Sequence, residues 1–148
     1  MLRVENILDA ARTRLALVNQ ESPVYEAAEI LVDPDRPLVV VCDGEGVVVG
    51  VISRTDIVKV LACAKAEALI ACADAIMTRS ILSCREHQPL QEVWEALNAR
   101  SLRCAPVLDD GGRPLGIVHA RDLACALLEE VTHEELLLRD YVMGVGYQ

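Results

Sequence analysis

The chain has 148 residues, 53% of them hydrophobic, and its 14 basic and 23 acidic side chains give a formal net charge of −9. Phosphate contacts require a basic face, so this charge argues against nucleic acid or an anionic membrane as a partner. Aromatic residues form only 3% of the chain, which disfavours a stacking platform for single-stranded bases. The length predicts one compact unit or two small ones.

Six cysteines are present, and their spacings match neither a C-x-x-C pair nor a zinc-binding pattern. Most lie among Ala, Leu and Val, which predicts buried free thiols in a reducing compartment. The first residues lack the apolar stretch of a signal peptide, and no apolar run approaches the roughly 20 residues that span a bilayer. We therefore expect a cytoplasmic protein without a membrane segment.

The first half of the chain predicts a strand, a helix, two strands and a second helix. An apolar stretch over residues 15–18 predicts the first strand, and Ser22-Pro23 places a cap and a first-turn proline before a helical pattern. Two apolar runs, residues 38–42 and 47–52, flank a turn and predict a hairpin. A helix over residues 54–64 follows.

The second half repeats the first. A shift of 66 residues aligns residues 22–61 with 88–127 without a gap, and 10 of the 40 aligned positions are identical. Unrelated stretches of this composition would share roughly three, so the chain contains an internal duplication. The second unit is therefore predicted to have the same elements. Its strand covers 81–84, its first helix begins at 89, its hairpin covers 105–108 and 115–118, and its last helix covers 120–131.

The duplication predicts a first repeat over residues 1–66, a second over 67–131 and a C-terminal helical tail over 132–148. Each repeat is near the size at which an isolated core is marginal, so we expect the repeats to share apolar surface. The Ala-rich stretch between them, residues 61–75, has high helix propensity, which predicts an ordered linker.

The tail carries its own helix signal. Thr132 and Glu135 form a capping box, which predicts that a new helix begins there. This helix would carry Leu136, Leu137 and Leu138. Two interpretations stay open: a terminal helix that covers the core of its own chain, or a contact within a dimer.

One motif recurs after each predicted hairpin. Gly50 and Asp56 stand six residues apart, and so do Gly116 and Asp122. In both copies an apolar strand runs into a short turn and places an Asp in the first turn of a helix. Such an Asp is favourable at the positive helix N-terminus without any ligand. Alternatively, its carboxylate accepts two hydrogen bonds from a sugar diol while the free amides nearby hold phosphate.

Catalytic motifs are absent from the sequence. It contains no G-x-G-x-x-G, Walker loop, H-E-x-x-H or G-x-S-x-G pattern. Three histidines are scattered, and only His119 lies inside a repeated motif. We therefore expect a non-enzymatic protein with no metal and no catalytic cofactor.

Two β-α-β-β-α repeats, each with G-h-h-[S/T]-x-x-[D/N] after its third strand, resemble cystathionine-β-synthase (CBS) domains, and the tandem pair resembles a Bateman module. The motifs recur twice in one order at fixed spacing. The implied fold is of the α/β (α+β) class, with clefts between two repeats related by a pseudo-twofold axis. The family implies regulatory binding of AMP, ADP or ATP, with S-adenosylmethionine or NAD as further candidates. It also implies a flat homodimer that signals to a regulated protein.

The resemblance implies roles for individual residues. Asp56 and Asp122 would bind ribose hydroxyls, and Ser53 would contact ribose or phosphate. Three neighbours become candidates for phosphate binding: Thr55, Arg54 and Arg121. The base would be framed by segments 16–18, 38–40, 82–84 and 104–106. From these segments the predicted site takes Val18, Val39, Val40, Ser83, Ala105 and Pro106.

His119 departs from the resemblance, because the family has Ser or Thr at this position. Imidazole is bulkier than a hydroxyl, although it can donate to phosphate, particularly when protonated. We therefore expect two unequal clefts, of which the one built on Asp56 conforms better to the family. The alternative function is a protein-interaction or dimerisation module with degenerate clefts and no nucleotide bound.

Overall fold

The computed structural model describes residues 1–146 and shows a mixed α/β fold with two small sheets, which confirms the predicted fold class. Short 3₁₀ turns cover Val4–Ile7, Lys65–Ile70 and Ala73–Ala75. The elements of the first half are α1 (Leu8–Thr13), β1 (Leu17–Asn19), α2 (Val24–Leu31), β2 (Leu38–Cys42), β3 (Val48–Ser53) and α3 (Arg54–Ala64). Those of the second half are α4 (Leu90–Ala99), β4 (Cys104–Leu108), β5 (Pro114–His119) and α5 (Ala120–Gly146).

In the first sheet, β1 pairs in parallel with β2, and β2 pairs antiparallel with β3; in the second sheet, β4 pairs antiparallel with β5. The strand predicted over residues 81–84 is wrong. Of these four described residues, Cys84 alone pairs with a strand, in a single parallel bridge to Val107. The amide of Arg85 donates instead to the Gln88 side chain at 2.7 Å, so the backbone leaves the ladder there.

The two hairpin turns have the same construction. In the first, Asp43 Oδ1 accepts hydrogen bonds from two following amides at 2.9 and 3.0 Å, and Gly46 adopts a φ of +83°. In the second, Asp109 Oδ1 accepts two such bonds at 2.9 and 2.8 Å, and Gly112 adopts a φ of +80°. Glycine reaches this left-handed conformation without steric cost. The recurrence of Asp and Gly in the hairpins therefore has a local backbone reason.

A lead-in segment precedes the first strand of each repeat, namely residues 4–13 in the first and 73–78 in the second. Each lead-in segment crosses the hairpin of the other repeat. A Cβ atom at Gly50 would lie 2.7 Å from the Met77 sulfur and 2.9 Å from the Thr78 carbonyl oxygen. A Cβ atom at Gly116 would lie 2.7 Å from the Ala11 carbonyl carbon. Any side chain at either position would collide with the crossing segment. Both recurring glycines are therefore required for this close approach.

Because the lead-in segments cross in this way, each of the two larger hydrophobic cores contains residues from both halves of the chain. One core places Val4, Leu8 and Ala11 among buried residues of the second repeat. The other places Ala73 and Met77 against the helices and strands of the first repeat. A third cluster joins β2 to β5. Neither core is confined to one sequence repeat, and the domain boundaries at residues 66 and 131 stay predictions.

Helix α5 runs without a break through Thr132. The predicted helix start at Thr132 is wrong, because an amide inside a continuous helix already has a carbonyl partner and needs no cap. Leu136, Leu137 and Leu138 are more than half exposed. The interpretation in which the tail covers its own core is therefore also wrong. Within residues 1–146, no helix has both the length and the apolar character that crossing a membrane requires.

All six cysteines have free thiols, but their predicted burial is confirmed only in part. Cys42 and Cys84 are buried, and Cys104 is half-buried. The prediction of burial is wrong for three cysteines, because two lie on outward-facing sides of helices and one lies in the linker. These three are Cys63, Cys125 and Cys72.

Candidate functional site

A cleft of about 310 Å³ opens where β3 ends and α3 begins, and we call it the first cleft. Both repeats contribute to its walls: β2 and β3 from the first, β4 from the second, and the segment that follows the linker. Its floor is mainly apolar, and hydroxyl groups surround one carboxylate at its rim. The lining residues are Leu38, Val51, Ser53, Thr55, Asp56, Thr78, Ser80, Ile81, Leu82, Leu102, Cys104 and Pro106.

Asp56 is held in place by its own backbone turn. The amide of Ser53 donates to Asp56 Oδ2 at 2.9 Å, and the amide of Asp56 donates to Ser53 Oγ at 3.3 Å. This is the reciprocal arrangement of a capping box, which fixes the start of α3. The Thr78 hydroxyl lies 3.3 Å from both carboxylate oxygens. Asp56 therefore helps to cap the start of α3.

The same carboxylate keeps acceptor capacity for a ligand. A carboxylate has about four lone-pair sites, and the amide of Ser53 and the hydroxyl of Thr78 do not use all of them. Within the described part of the chain, no cation lies within salt-bridge distance of Asp56. The residue is half-buried at the cleft rim. Capping and ligand binding are therefore compatible at this position.

Of the residues predicted for this cleft, four line it: Ser53, Thr55, Asp56 and Pro106. Ser83 is half-buried beside it and does not line it. The predicted base-framing residues Val18, Val39, Val40 and Ala105 are buried in the apolar clusters instead. Successive side chains of a strand point to opposite faces. The lining therefore falls to neighbours in the predicted segments, namely Leu38, Leu82 and Cys104.

Arg54 does not point into the first cleft. Its Nε donates to the Leu31 carbonyl at 2.7 Å, and its Nη2 donates to the Asp33 carbonyl at 2.6 Å. These bonds tie the start of α3 to the loop that follows α2. The predicted phosphate role of Arg54 does not fit this arrangement, because its guanidinium is already engaged by backbone oxygens.

The corresponding carboxylate of the second repeat, Asp122, already has a cationic partner. Arg14 Nε donates to Asp122 Oδ2 at 2.7 Å, and Arg14 Nη2 donates to Oδ1 at 3.2 Å. Both side chains are a quarter exposed. This paired fork is the strong form of an arginine–carboxylate contact. It neutralises the charge of the carboxylate and uses one lone pair on each oxygen, so Asp122 is a weaker acceptor for a ribose diol than a carboxylate without a cationic partner.

His119 acts as a helix cap. Its Nδ1 accepts a hydrogen bond from the amide of Arg121 at 3.0 Å, in the first turn of α5. Burial lowers the pKa of His119, and the charge of Arg14 lowers it further, while Asp122 opposes the shift. The imidazole is therefore held in its neutral form. This arrangement opposes the expected role of a protonated His119 as a phosphate donor. The side chain of Arg121, the other residue of this motif predicted to bind phosphate, is exposed and does not line the first cleft.

Sequence reasoning missed Arg14, the residue that forms an ion pair with Asp122 in the second repeat. Extended to the strand that enters each repeat, the 66-residue shift places Arg14 at the position of Ser80 and Arg36 at that of Leu102. A cavity of about 390 Å³ beside Arg14 does not include Asp122 or His119. Its lining residues are Thr13, Arg14, Asp33, Asp35 and Arg36. The 66-residue offset could have identified Arg14 and Arg36, because each aligns with an uncharged residue of the other repeat.

The first cleft combines apolar walls with a few polar groups. Burial raises the pKa of Cys104 to about 11, so its thiol stays protonated and is a poor nucleophile. Among residues 1–146, no group of three or more His, Cys, Asp and Glu side chains is arranged to hold a metal ion. What remains is a carboxylate, four hydroxyls and apolar walls.

The chain belongs to the CBS domain family, since the family model described as CBS domain matches residues 4–63 and 73–129. The two matches correspond to the two sequence repeats. Domain pairs of this family are typically regulatory rather than catalytic.

The chain is similar to a curated enzyme and to solved CBS structures, two of which contain adenosine-type ligands. L-aspartate semialdehyde sulfurtransferase of Methanocaldococcus jannaschii is 32% identical over 101 residues, which is 68% of this chain and 19% of that protein. The CBS domain pair of protein MJ0100, in complex with 5′-methylthioadenosine and S-adenosyl-L-methionine, has a TM-score of 0.74 and 26% identity, covering 88% of this chain and 98% of that one. CBSX2 in complex with AMP has a TM-score of 0.74 and 25% identity, covering 87% and 98%.

Proposed function

We propose that this CBS domain pair is a cytoplasmic regulatory module that binds an adenosine-containing ligand in the first cleft. AMP, ADP and ATP are candidate ligands, as are S-adenosylmethionine and NAD. Occupancy would be passed to a regulated protein through a homodimer, and the module itself would catalyse no reaction. The six free thiols fit a reducing compartment.

The observation that carries this proposal is the carboxylate of Asp56, which lies in a cleft between the repeats and has no cationic partner among residues 1–146. Two ribose hydroxyls can donate to its free lone pairs, in charge-assisted hydrogen bonds. Apolar side chains such as Val51, Ile81 and Leu82 supply the surface that an adenine ring would cover. The structural neighbours in complex with 5′-methylthioadenosine, S-adenosyl-L-methionine and AMP support the same ligand class.

Titration calorimetry on wild type and Asp56→Asn tests the ligand site. The Oδ1 atom of asparagine can still accept the hydrogen bond from the Ser53 amide, so the variant should fold, but the charge-assisted bonds weaken and affinity should fall by about 1.5–3 kcal/mol. Asp122→Asn is the matched control, since Asp122 is occupied by Arg14, and its affinity should equal that of wild type. Equal losses in both variants, or a loss in neither, would remove Asp56 as the ribose anchor.

The homodimer is supported by exposed apolar side chains on α3 and α5. Val58, Leu61, Leu128 and Val131 are all at least 40% exposed. An isologous dimer would cover the same helices of both copies. Sedimentation at micromolar concentration should give about twice the 16.1 kDa mass of one chain.

Leu128→Glu should shift the sedimentation result towards a monomer, because it places a charge in the covered face. Val32→Glu is a matched control, since Val32 is also exposed but follows α2. A monomer in the wild-type protein would exclude signalling through a homodimer. Dissociation by both variants would show a general effect of added charge rather than a specific face.

A second candidate function is an interaction module whose clefts bind no nucleotide. The contact between Arg14 and Asp122 favours it for the second repeat, where the carboxylate is occupied. A thermal-shift screen separates the candidates, since a ligand that binds only the folded chain raises its apparent stability. A dimer that shows no shift with any adenosine ligand would favour the interaction module.

A further inference from the structure

We propose that the first cleft prefers adenosine ligands whose 5′ substituent carries no net negative charge, such as a thioether or a sulfonium, over nucleoside phosphates. This inference rests on the proposed function and narrows its ligand class. It follows from the distribution of charge around the cleft.

The described lining of the first cleft offers hydroxyl groups to a phosphate but no cation. Among the described residues that line it, Asp56 carries the one charge, and none is basic. Phosphate sites in proteins rely on cations and free amides. The Asp56 amide at the start of α3 is already bonded to Ser53 Oγ at 3.3 Å. An anionic 5′ group near this carboxylate would be repelled, whereas a sulfonium would be attracted.

Two arginines that neighbour the lining residues in sequence donate to backbone carbonyls outside the first cleft. Arg54 donates to the backbone carbonyls of Leu31 and Asp33 at 2.7 and 2.6 Å. Arg79 donates to the Asp74 carbonyl at 3.4 Å and is exposed. Recruiting Arg54 to a phosphate would break two hydrogen bonds that hold the loop after α2.

Two further arginines serve the second repeat. Arg14 is bound to Asp122, and Arg103 lies close enough to His119 to lower the pKa of that imidazole. Both also lie near Cys104, yet burial outweighs their charge and raises the pKa of that thiol to about 11. Arg14, Arg103 and Arg54 thus act on Cys104 at one wall of the first cleft, but none of them belongs to its described lining.

The size of the first cleft agrees with this ligand class. Its volume of about 310 Å³ lies at the lower end of the roughly 300–1,000 Å³ that ligand sites occupy. Both 5′-methylthioadenosine and AMP have a short 5′ substituent that fits such a volume, so charge and not size distinguishes these two ligands. A triphosphate or a dinucleotide would extend beyond it, next to a chain whose net charge is −9.

Calorimetric titration of the full chain with 5′-methylthioadenosine, S-adenosylmethionine, AMP and ATP tests the inference. We expect 5′-methylthioadenosine to bind at least about tenfold more tightly than AMP, and ATP to bind most weakly. Raising the ionic strength from about 50 mM to about 500 mM should narrow the difference, because salt screens the repulsion of the phosphates.

A charge introduced at the rim provides a variant test. Leu102 is 40% exposed and corresponds to Arg36 in the other repeat, so Leu102→Arg can be accommodated. The ratio of AMP to 5′-methylthioadenosine affinity should rise at least about fivefold in Leu102→Arg. Leu102→Gln is the matched control, because it adds polarity and length without charge, and its ratio should stay near that of wild type.

The outcomes separate this inference from the proposed function. AMP or ATP binding as tightly as 5′-methylthioadenosine would overturn the charge preference and leave the adenosine site intact. An equal rise of the ratio in Leu102→Arg and Leu102→Gln would also overturn it, since size or polarity would then explain the selectivity. Failure of all four ligands to bind would overturn both proposals.

Discussion

Arg14 donates through Nε and Nη2 to the two carboxylate oxygens of Asp122, at 2.7 and 3.2 Å, across 108 positions of sequence. Asp56 occupies the corresponding place in the first repeat, where Ser80 stands at the position of Arg14. A serine cannot form this bidentate ion pair. The two repeats thus carry corresponding carboxylates in different states: within residues 1–146, Asp56 has no cationic partner, whereas Asp122 is in an ion pair.

Arg14→Ser should release Asp122 and create a second binding site. The expected calorimetric result is a rise in the number of adenosine-ligand sites per chain from one towards two. Removing this partly exposed ion pair should lower the free energy of unfolding by no more than about 1 kcal/mol. A stoichiometry that stays at one in a folded Arg14→Ser protein would mean that something other than Arg14 blocks the second site.

Ser80→Arg should produce the opposite result. An arginine at this position can reach Asp56 as Arg14 reaches Asp122, and it would then compete with the ribose hydroxyls. We expect affinity at the first cleft to fall at least about tenfold, the scale of a lost charge-assisted contact. Ser80→Gln controls for the size of the side chain, and it should retain most of the affinity. Unchanged binding in Ser80→Arg would contradict the equivalence of the two positions.

Gly116→Ala should destabilise the chain strongly, because the new Cβ would lie 2.7 Å from the backbone of Ala11. The free energy of unfolding should fall by about 1–3 kcal/mol, the range for overpacking. A Cβ at Gly44 would meet no atom within 4 Å, so Gly44→Ala should change stability by less than about 0.5 kcal/mol. Urea unfolding measures both. Equal stability of the two variants would argue against the crossing of α1 over β5.

His119 should make stability depend on pH. Its pKa is lower in the folded chain than the usual 6.5, because of burial and Arg14, so the unfolded chain binds the proton first as pH falls. The contribution of the neutral imidazole is complete above about pH 6.5 and is lost as pH falls through the folded pKa. Urea unfolding at about pH 7.5 and about pH 5 should show a larger loss in wild type than in His119→Ser.

Serine is the matched replacement for His119, because Ser53 holds the corresponding position and accepts a helix amide without titrating in this range. The other two histidines are present in both proteins, so their effects cancel in the comparison. Identical pH dependence of the two proteins would show that His119 does not cap α5 as a neutral imidazole.

Cysteine labelling should report the burial pattern. Cys72 is exposed and Cys84 is buried, and burial raises the pKa of Cys84 to about 12. Because the thiolate is the reactive form, pulsed alkylation with peptide mass analysis should modify Cys72 rapidly and Cys84 only after unfolding in urea. Rapid modification of Cys84 in the folded chain would contradict its burial in the core that also contains Val4, Leu8 and Ala11.

Much of the fold was predictable from local patterns. The repeat offset, the hairpins and the helix starts depend on residues a few positions apart, such as Asp43 and Gly46 in the first turn. Their hydrogen bonds and backbone angles are local, so sequence spacing encodes them directly. The carboxylate at the start of α3 was likewise predictable, because Ser53 and Asp56 lie within one helical turn.

The sequence by itself thus determined the duplicated unit, its turns and the placement of Asp56 and Asp122 at helix starts. Only the tertiary structure decided that Arg14 engages Asp122, that Arg54 bonds to backbone carbonyls, and that Asp56 has no cationic partner among residues 1–146. The arginine contacts join positions 21 to 108 residues apart. They depend on how the lead-in segments cross the opposite hairpins, and side-chain pairing at such separations follows from packing rather than from any local pattern.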